Sequence, residues 1–419
     1  MNKVNFTAIN QTVYNLSRIR VTFLPFIIAM LFLPSCALLS HKTPVQRVIN
    51  TGLKTVHTLD VYAEKNTVHA LFSGLDSSQK LALKYITSLN AGKTWSAPIS
   101  VNRKLAPLKK SKRGNDFRIA AYGSKVMAVW QSKGGEPWTG KIAVALSSDF
   151  GKTWQQIASP ISDQYEKIDQ GYFDLTADNQ GQFHIVWLDD REEAGNTQAL
   201  RYARYSDQSG NAWESHKTLE LTACTCCWTS IIADKKNDLH VLYRDDSPRD
   251  MKIISSFNNG NSWQKSKTAG SFGWKFIGCP HQGGGLAGTQ TDGKTILHSA
   301  LWNGKADSRG IYYSQFEPNK DKIAVLLPIG DNNSASGDIA ALDNSHLGIA
   351  YTAGDFESKS VTAKFSGNGG LSWSNEQRLT GDSAEPSHPR IIATPSGFRF
   401  FWTEWQENGD AVAIISELK

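Results

Sequence analysis

The stretch Ser147-Ser148-Asp149-Phe150-Gly151-Lys152-Thr153-Trp154 restricts the fold of this chain more than any other. A serine and an aspartate that can bond their own backbone, followed by a glycine, specify a tight turn. The threonine and tryptophan after it suit the start of a strand. Four imperfect copies recur, at Ser88 to Trp95, Ser206 to Trp213, Ser256 to Trp263 and Ser366 to Trp373. Their glycines, at 92, 151, 210, 260 and 370, lie 59, 59, 50 and 110 residues apart. The last gap is two periods of about 55, and a fixed period of this size predicts a repeat architecture.

A second period runs through the apolar residues. Short runs such as Val126-Met127-Ala128-Val129-Trp130 and His184-Ile185-Val186-Trp187 end in an aromatic, at Phe72, Trp130, Trp187, Tyr243, Trp302, Tyr351 and Trp402. They have the composition of buried strands. One shorter run precedes each and another follows it, so a unit of about 50 residues holds four strands. With 34 glycines, 13 tryptophans and no long 3.6-residue period after residue 50, the chain is expected to be all-β. Four-stranded units repeated around a ring make a β-propeller. The aromatics count seven blades, and six blades plus an extra sheet is the alternative. The last unit, His388 to Lys419, shows three strands. Pro44 to Thr51 is placed to supply the fourth and close the ring, which removes exposed edges. The propeller is assigned to residues 51–419.

Residues 1–35 read as a targeting segment. Arg18 and Arg20 precede an apolar run, Val21 to Pro34, that is short for a membrane span. Leu33-Pro34-Ser35-Cys36 resembles a bacterial lipobox, which implies cleavage before Cys36 and lipidation of that residue. Ala37 after it points to the outer membrane, periplasmic or surface-facing. A plain secretory signal is the alternative, and both place the folded part in an oxidising compartment. Residues 36–50 then form a tether and the closing strand of an expected monomer. Of the formal charge of +6, Lys3, Arg18 and Arg20 leave with the segment, and 42 basic residues then face 39 acidic ones. No basic stripe is present, so nucleic acid is not an expected partner.

The repeated turn resembles the Asp-box of sialidases and related propellers. Its aspartate position reads Asn90, Asp149, Gln208, Asn258 and Asn368. The resemblance implies a structural device without catalytic residues, on one face of the ring. By analogy with such propellers, segments leading into inner strands, and loops between second and third strands, share the opposite, upper face. Four notable stretches then gather there: Ala223 to Trp228, Gly273 to His281, Leu188 to Arg191 and Arg244 to Asp246. Aligned inner strands place Asp60, Arg118, Asp174, Ser230, Asp338 and Arg390 at one position facing the channel. They are either an ion-paired lining or a rim for an anionic or sugar ligand.

Phe117-Arg118-Ile119-Ala120 resembles the Phe/Tyr-Arg-Ile-Pro motif of sialidases, with alanine for proline. The resemblance implies a carboxylate gripped by three planar guanidinium groups. Arg118, Arg244 and Arg390 are the candidates, with Arg191 in reserve. It also implies a tyrosine nucleophile and a carboxylate. Tyr172 is the candidate nucleophile and Asp174 or Asp189 the acid, although the family's tyrosine–glutamate pair is not identifiable.

Cys224-x-Cys226-Cys227 and Gly278-Cys279-Pro280-His281 are the most specific constellation. Together they resemble a group of bacterial sialidase-like propellers with Cys-x-Cys-Cys-Trp and Gly-Cys-Pro-His stretches one blade apart. That resemblance implies the fold and the place of a site. One account has two disulfides, Cys279 with one of the triplet and Cys224 with Cys226 or Cys227, although such short loops suit the bond poorly. A second has thiolates and His281 holding copper or zinc, and a third has redox thiols. Trp228 and Trp274 either pack over the cysteines or offer a platform for a sugar ring. Gln282-Gly283-Gly284-Gly285 lets backbone approach a ligand, or is a flexible loop. Two classes of function follow. One is a glycan-directed protein, either a binder or a sialidase-type glycoside hydrolase. The other is a non-enzymatic propeller that takes a protein partner or a soft metal through its cysteine loops.

Overall fold

The computed structural model describes residues 44–110, 117–136, 139–161, 169–190, 197–206, 209–210, 212–355, 358–381 and 384–418. The targeting segment, Cys36 and Arg191 lie outside them. The described chain is all-β, without an α-helix, and forms seven antiparallel sheets of the β-propeller type.

The innermost strands of blades one to seven are Thr55–Glu64, Phe117–Tyr122, Gln170–Ala177, Ser230–Ala233, Gly284–Thr291, Ala335–Ala341 and Glu385–Thr394. Each contacts the next, and the seventh contacts the first, so the ring closes with seven blades rather than six. Pro44–Ile49 pairs antiparallel with Ala411–Leu418, Val48 opposite Ile414, and completes blade seven. Blade three is the wide one. Both Ala212–Trp213 and Lys217–Cys224 pair with its third strand, Thr197–Ser206.

The core lies between blades. Phe72, Trp130, Trp187, Tyr243, Trp302, Tyr351 and Trp402, which end the second-strand runs, are all buried. Trp130 packs with Leu71 and Tyr85 of blade one as well as Phe117 and Ile119 of its own blade. Removing a ring of this kind costs about 3–5 kcal/mol, so the aromatic period is a stability requirement of the ring.

The repeated turns form a second seam. In the copy at Ser147, the serine hydroxyl accepts the Gly151 N–H at 2.8 Å, and Asp149 accepts the Thr153 N–H at 2.9 Å. Asn90, Asn258 and Asn368 accept from Thr94, Ser262 and Ser372 at 2.9, 2.8 and 2.9 Å. An amide oxygen does what the carboxylate does, which explains why a single aspartate suffices among these four. Gly151 has φ +81° and lies against Tyr85 of blade one. Tyr85 meets His69 Nδ1 at 2.7 Å and Trp154 edge to face. The same set, histidine, tyrosine and the next blade's glycine and tryptophan, recurs as His184–Tyr202–Gly260–Trp263 and His298–Tyr313–Gly370–Trp373. These turns share their face with the turns between first and second strands. A cavity at that end is lined by Leu89 and Phe150 together with Tyr122, Asn179 and Lys235. The upper face is therefore left to the segments leading into the inner strands and the loops after the second strands.

Candidate functional site at the upper face

The aligned inner-strand position builds the wall of the channel. Asp60, Asp174 and Asp338 each accept a backbone N–H from the following blade, of Ile119, Ile231 and Ile391, at 2.9, 2.8 and 3.0 Å. Arg118 Nε donates to Asp174 at 2.8 Å. Arg390 lies 3.0 Å from Asp338 and 2.8 Å from Asp60. Burial opposes the charge of Arg390, yet Asp338 and Asp60 hold its pKa above the ordinary arginine value. The side chains at this position thus pair with one another around the mouth, where Arg118, Asp174, Ser230 and Arg390 line a cavity of about 60 Å³.

The other candidates of the arginine set and the acids lie elsewhere. Arg244 is buried and donates to the carbonyls of Arg249 and Trp302, both at 2.7 Å. Its guanidinium stacks on Trp274 and Trp302 at 5.3 and 5.8 Å. Trp274 is buried too, packed on Phe276. These two residues hold the loops of blades four and five and do not reach the channel cavity. Asp189 is fully buried and accepts from Trp187 Nε1 at 2.8 Å and Arg201 Nε at 3.1 Å.

Tyr172 sits two residues before Asp174, at a β-bulge, with φ +52°. Ser336 and His388 occupy the matching bulges of blades six and seven, with φ +53° and +51°. The same bulge thus recurs in three blades at the upper end and re-aims a side chain in each. The Thr229 hydroxyl holds the Tyr172 carbonyl at 2.6 Å, and the Tyr172 hydroxyl lies 3.3 Å from His281 Nδ1.

The cysteines gather where blades four and five begin. Cys224 closes the outer strand of blade three, and Cys227, three positions on, returns to it as a disulfide. Cys226 and Cys279 are not bonded, so the expected bond from Cys279 to the triplet is absent from this structure. Cys226 is buried and Cys279 exposed, and with His281 their donor atoms lie within 4.8 Å of one another. Burial, with Cys279 beside it, pushes the Cys226 thiol up to about 12. Arg249 ties the two loops, 3.3 Å from Cys224 Sγ and 2.8 Å from the Gly278 carbonyl. The cluster could hold a metal ion.

Next to it runs a groove of about 540 Å³, lined by Trp228, His281, Arg309, Ser336, Lys359 and His388. Arg309 is exposed and Lys359 half-buried. Neither is ion-paired to a described residue, and burial lowers the Lys359 pKa. Trp228 stands 5.7 Å from the His388 ring. The glycine run serves packing here. A Cβ on Gly283 would lie 2.6 Å from the Trp228 carbonyl oxygen, and one on Gly285 2.7 Å from Asp338. Sequence reasoning passed over Arg309, Lys359 and His388. The first two are lone cations on loops after second strands, without a motif. His388 carried a usable signal, because it stands two residues before Arg390 as Tyr172 does before Asp174.

No family model matches the chain, and no curated protein matches it. Its fold resembles an ulvan lyase of polysaccharide lyase family 25 bound to -[GlcA(1-4)Rha3S]-, with TM-score 0.57 and 11% identity over 88% of this chain and 95% of that one. It also resembles the polysaccharide lyase Uly1, with TM-score 0.53 and 11% identity over 87% and 90%. Trypanosoma rangeli sialidase in complex with sialic acid aligns at TM-score 0.48 and 10% identity, over 90% of this chain and 57% of that one. At these identities the likeness to the lyases shows the fold alone: a β-propeller of the kind seen in those polysaccharide lyases.

Proposed function

We propose that this protein is a glycan-directed propeller that takes an acidic saccharide in the upper-face groove. The observation that carries the reading is the pair Arg309 and Lys359, neither ion-paired to a described residue, which line one groove with an indole, two imidazoles and a single carboxylate, Asp355. A cation fork beside an aromatic face suits a sugar ring that bears a carboxylate or sulfate. A propeller of similar fold binds a saccharide of that chemistry, which supports the same ligand class here. Calorimetry with acidic and neutral oligosaccharides tests it. Acidic ligands should bind, and Arg309→Ala and Lys359→Ala should each weaken them about tenfold. Equal binding of neutral sugars, or unchanged affinity in both variants, would refute the reading.

Cleavage of the bound glycan is the second reading, favoured by His281, which lines the groove with the Tyr172 hydroxyl 3.3 Å behind its Nδ1 as an acid–base partner. New sugar ends, lost in His281→Gln, are the test. A sialidase-type hydrolysis has weaker support, since Arg118 and Arg390 already face Asp174, Asp338 and Asp60. Release from an aryl-sialoside tests that version. The lipobox-like segment supports an outer-membrane lipoprotein anchored through Cys36. Cys36→Ser should move the protein from the membrane to the soluble fraction.

A further inference from the structure

We infer that Cys226, Cys279 and His281 form a binding site for one thiophilic metal ion, copper(I) or zinc(II). The three donor atoms come from the segments leading into two adjacent blades and lie within 4.8 Å of one another. Donors around an ion at about 2.3 Å stand about 4 Å apart, so the site closes with small movements. Two sulfurs and an imidazole are a soft set, which excludes magnesium and calcium. Cys224 is already bonded to Cys227, which leaves Cys226 and Cys279 as the thiols of the cluster. The Tyr172 hydroxyl at His281 Nδ1 is the kind of outer contact that orients a ligating imidazole. Cys226 is buried while Cys279 is exposed, so the ion has a sheltered seat and a path from solvent. Binding joins the ion to two thiolates and one imidazole and releases the two thiol protons to water; no electron moves.

The site shares His281 with the groove, but Cys279 does not line it, so Cys279→Ser tests the metal site without touching the glycan reading. Zinc(II), and copper(I) in competition with bathocuproine disulfonate, are titrated into reduced protein without oxygen. Wild type and Cys224→Ser/Cys227→Ser should each take one equivalent of one of these ions. Cys226→Ser and Cys279→Ser should bind it more than about a hundredfold more weakly. Thermal unfolding without metal checks each variant. If Cys226→Ser fails to fold, the exposed Cys279→Ser carries the test. No uptake by wild type would overturn the site, as would uptake that survives Cys279→Ser or that needs Cys224 and Cys227. A Cys226–Cys279 disulfide mapped in protein taken from its own compartment would overturn it as well.

Discussion

The Tyr172 hydroxyl lies 3.3 Å from His281 Nδ1, so the segments leading into blades three and five meet beside the cysteines that open blade four. Tyr172→Phe keeps the ring and removes the hydroxyl that makes that contact. A lost hydrogen bond of this kind is worth about 0.5–1.5 kcal/mol. Stability should therefore fall by that small amount, and affinity for an acidic oligosaccharide should fall by up to about fivefold because His281 loses the contact that holds it in the groove. Calorimetry and a thermal melt together check it, and unchanged affinity would mean that His281 keeps its place without the tyrosine.

Arg118 and Arg309 should separate stability from binding. Arg118 is buried against Asp174, and removing one partner of a buried pair costs about 3–5 kcal/mol. Arg118→Ala should lower stability by that amount in urea. Arg309 is exposed and unpaired with described carboxylates, so Arg309→Ala should leave stability within about 0.5 kcal/mol while weakening the acidic ligand. A stable Arg118→Ala that has lost binding would return Arg118 to the ligand.

The ring was readable in the sequence because its physical requirement repeats. Every second strand must bury one large aromatic side chain between blades, so the aromatics from Phe72 to Trp402 count the blades directly. The repeated turn was readable for the same reason, since the glycine and serine positions carry the geometry and Asp149 and Asn258 are interchangeable acceptors. The site was readable only in part. The mixed charges at Asp60, Arg118, Asp174, Asp338 and Arg390 pointed to the channel wall. Whether they face one another or a ligand depends on the spacing between blades, which the sequence does not carry. Tyr172 stood out by position, but its partner His281 lies 109 residues away. Arg309 and Lys359 gain meaning only from what stands across the groove. The cysteine spacing left the pairing open, and the fold put Cys227 next to Cys224 and left Cys279 beside Cys226.

The turn glycines differ in what surrounds them. A Cβ on Gly151 would lie 2.1 Å from a ring carbon of Tyr85, and φ is +81°. Gly210 has φ +72° with nothing within 4 Å of its Cβ position. Gly210→Ala should cost only the backbone term, about 1 kcal/mol. Gly151→Ala must also push Tyr85 off His69 and should cost about 3 kcal/mol or more. Urea unfolding of the two variants checks the order, and equal losses would show that the turn does not seal the blades.

His298 makes the stability of the ring depend on pH in a defined window. It is buried, with Nδ1 2.7 Å from the Tyr313 hydroxyl and Nε2 2.9 Å from Thr289 Oγ1. Burial pushes its pKa down from 6.5 to about 4, so the folded protein keeps it neutral where an unfolded chain would charge it. Between those two values the unfolded state binds the extra proton, and stability falls as pH falls. Above about 6.5 the contribution is fully present, and below about 4 its loss is complete, at about 3 kcal/mol for the group. His298→Gln cannot titrate. It should be less stable than wild type at pH 7 because Tyr313 and Thr289 lose their partner. Its stability should then fall less steeply than that of wild type from about pH 6.5 to about pH 4. Urea unfolding at steps through that window measures both slopes. Equal slopes would mean that the imidazole already carries its proton inside the folded blade, and the neutral His298–Tyr313 contact described above would have to be abandoned.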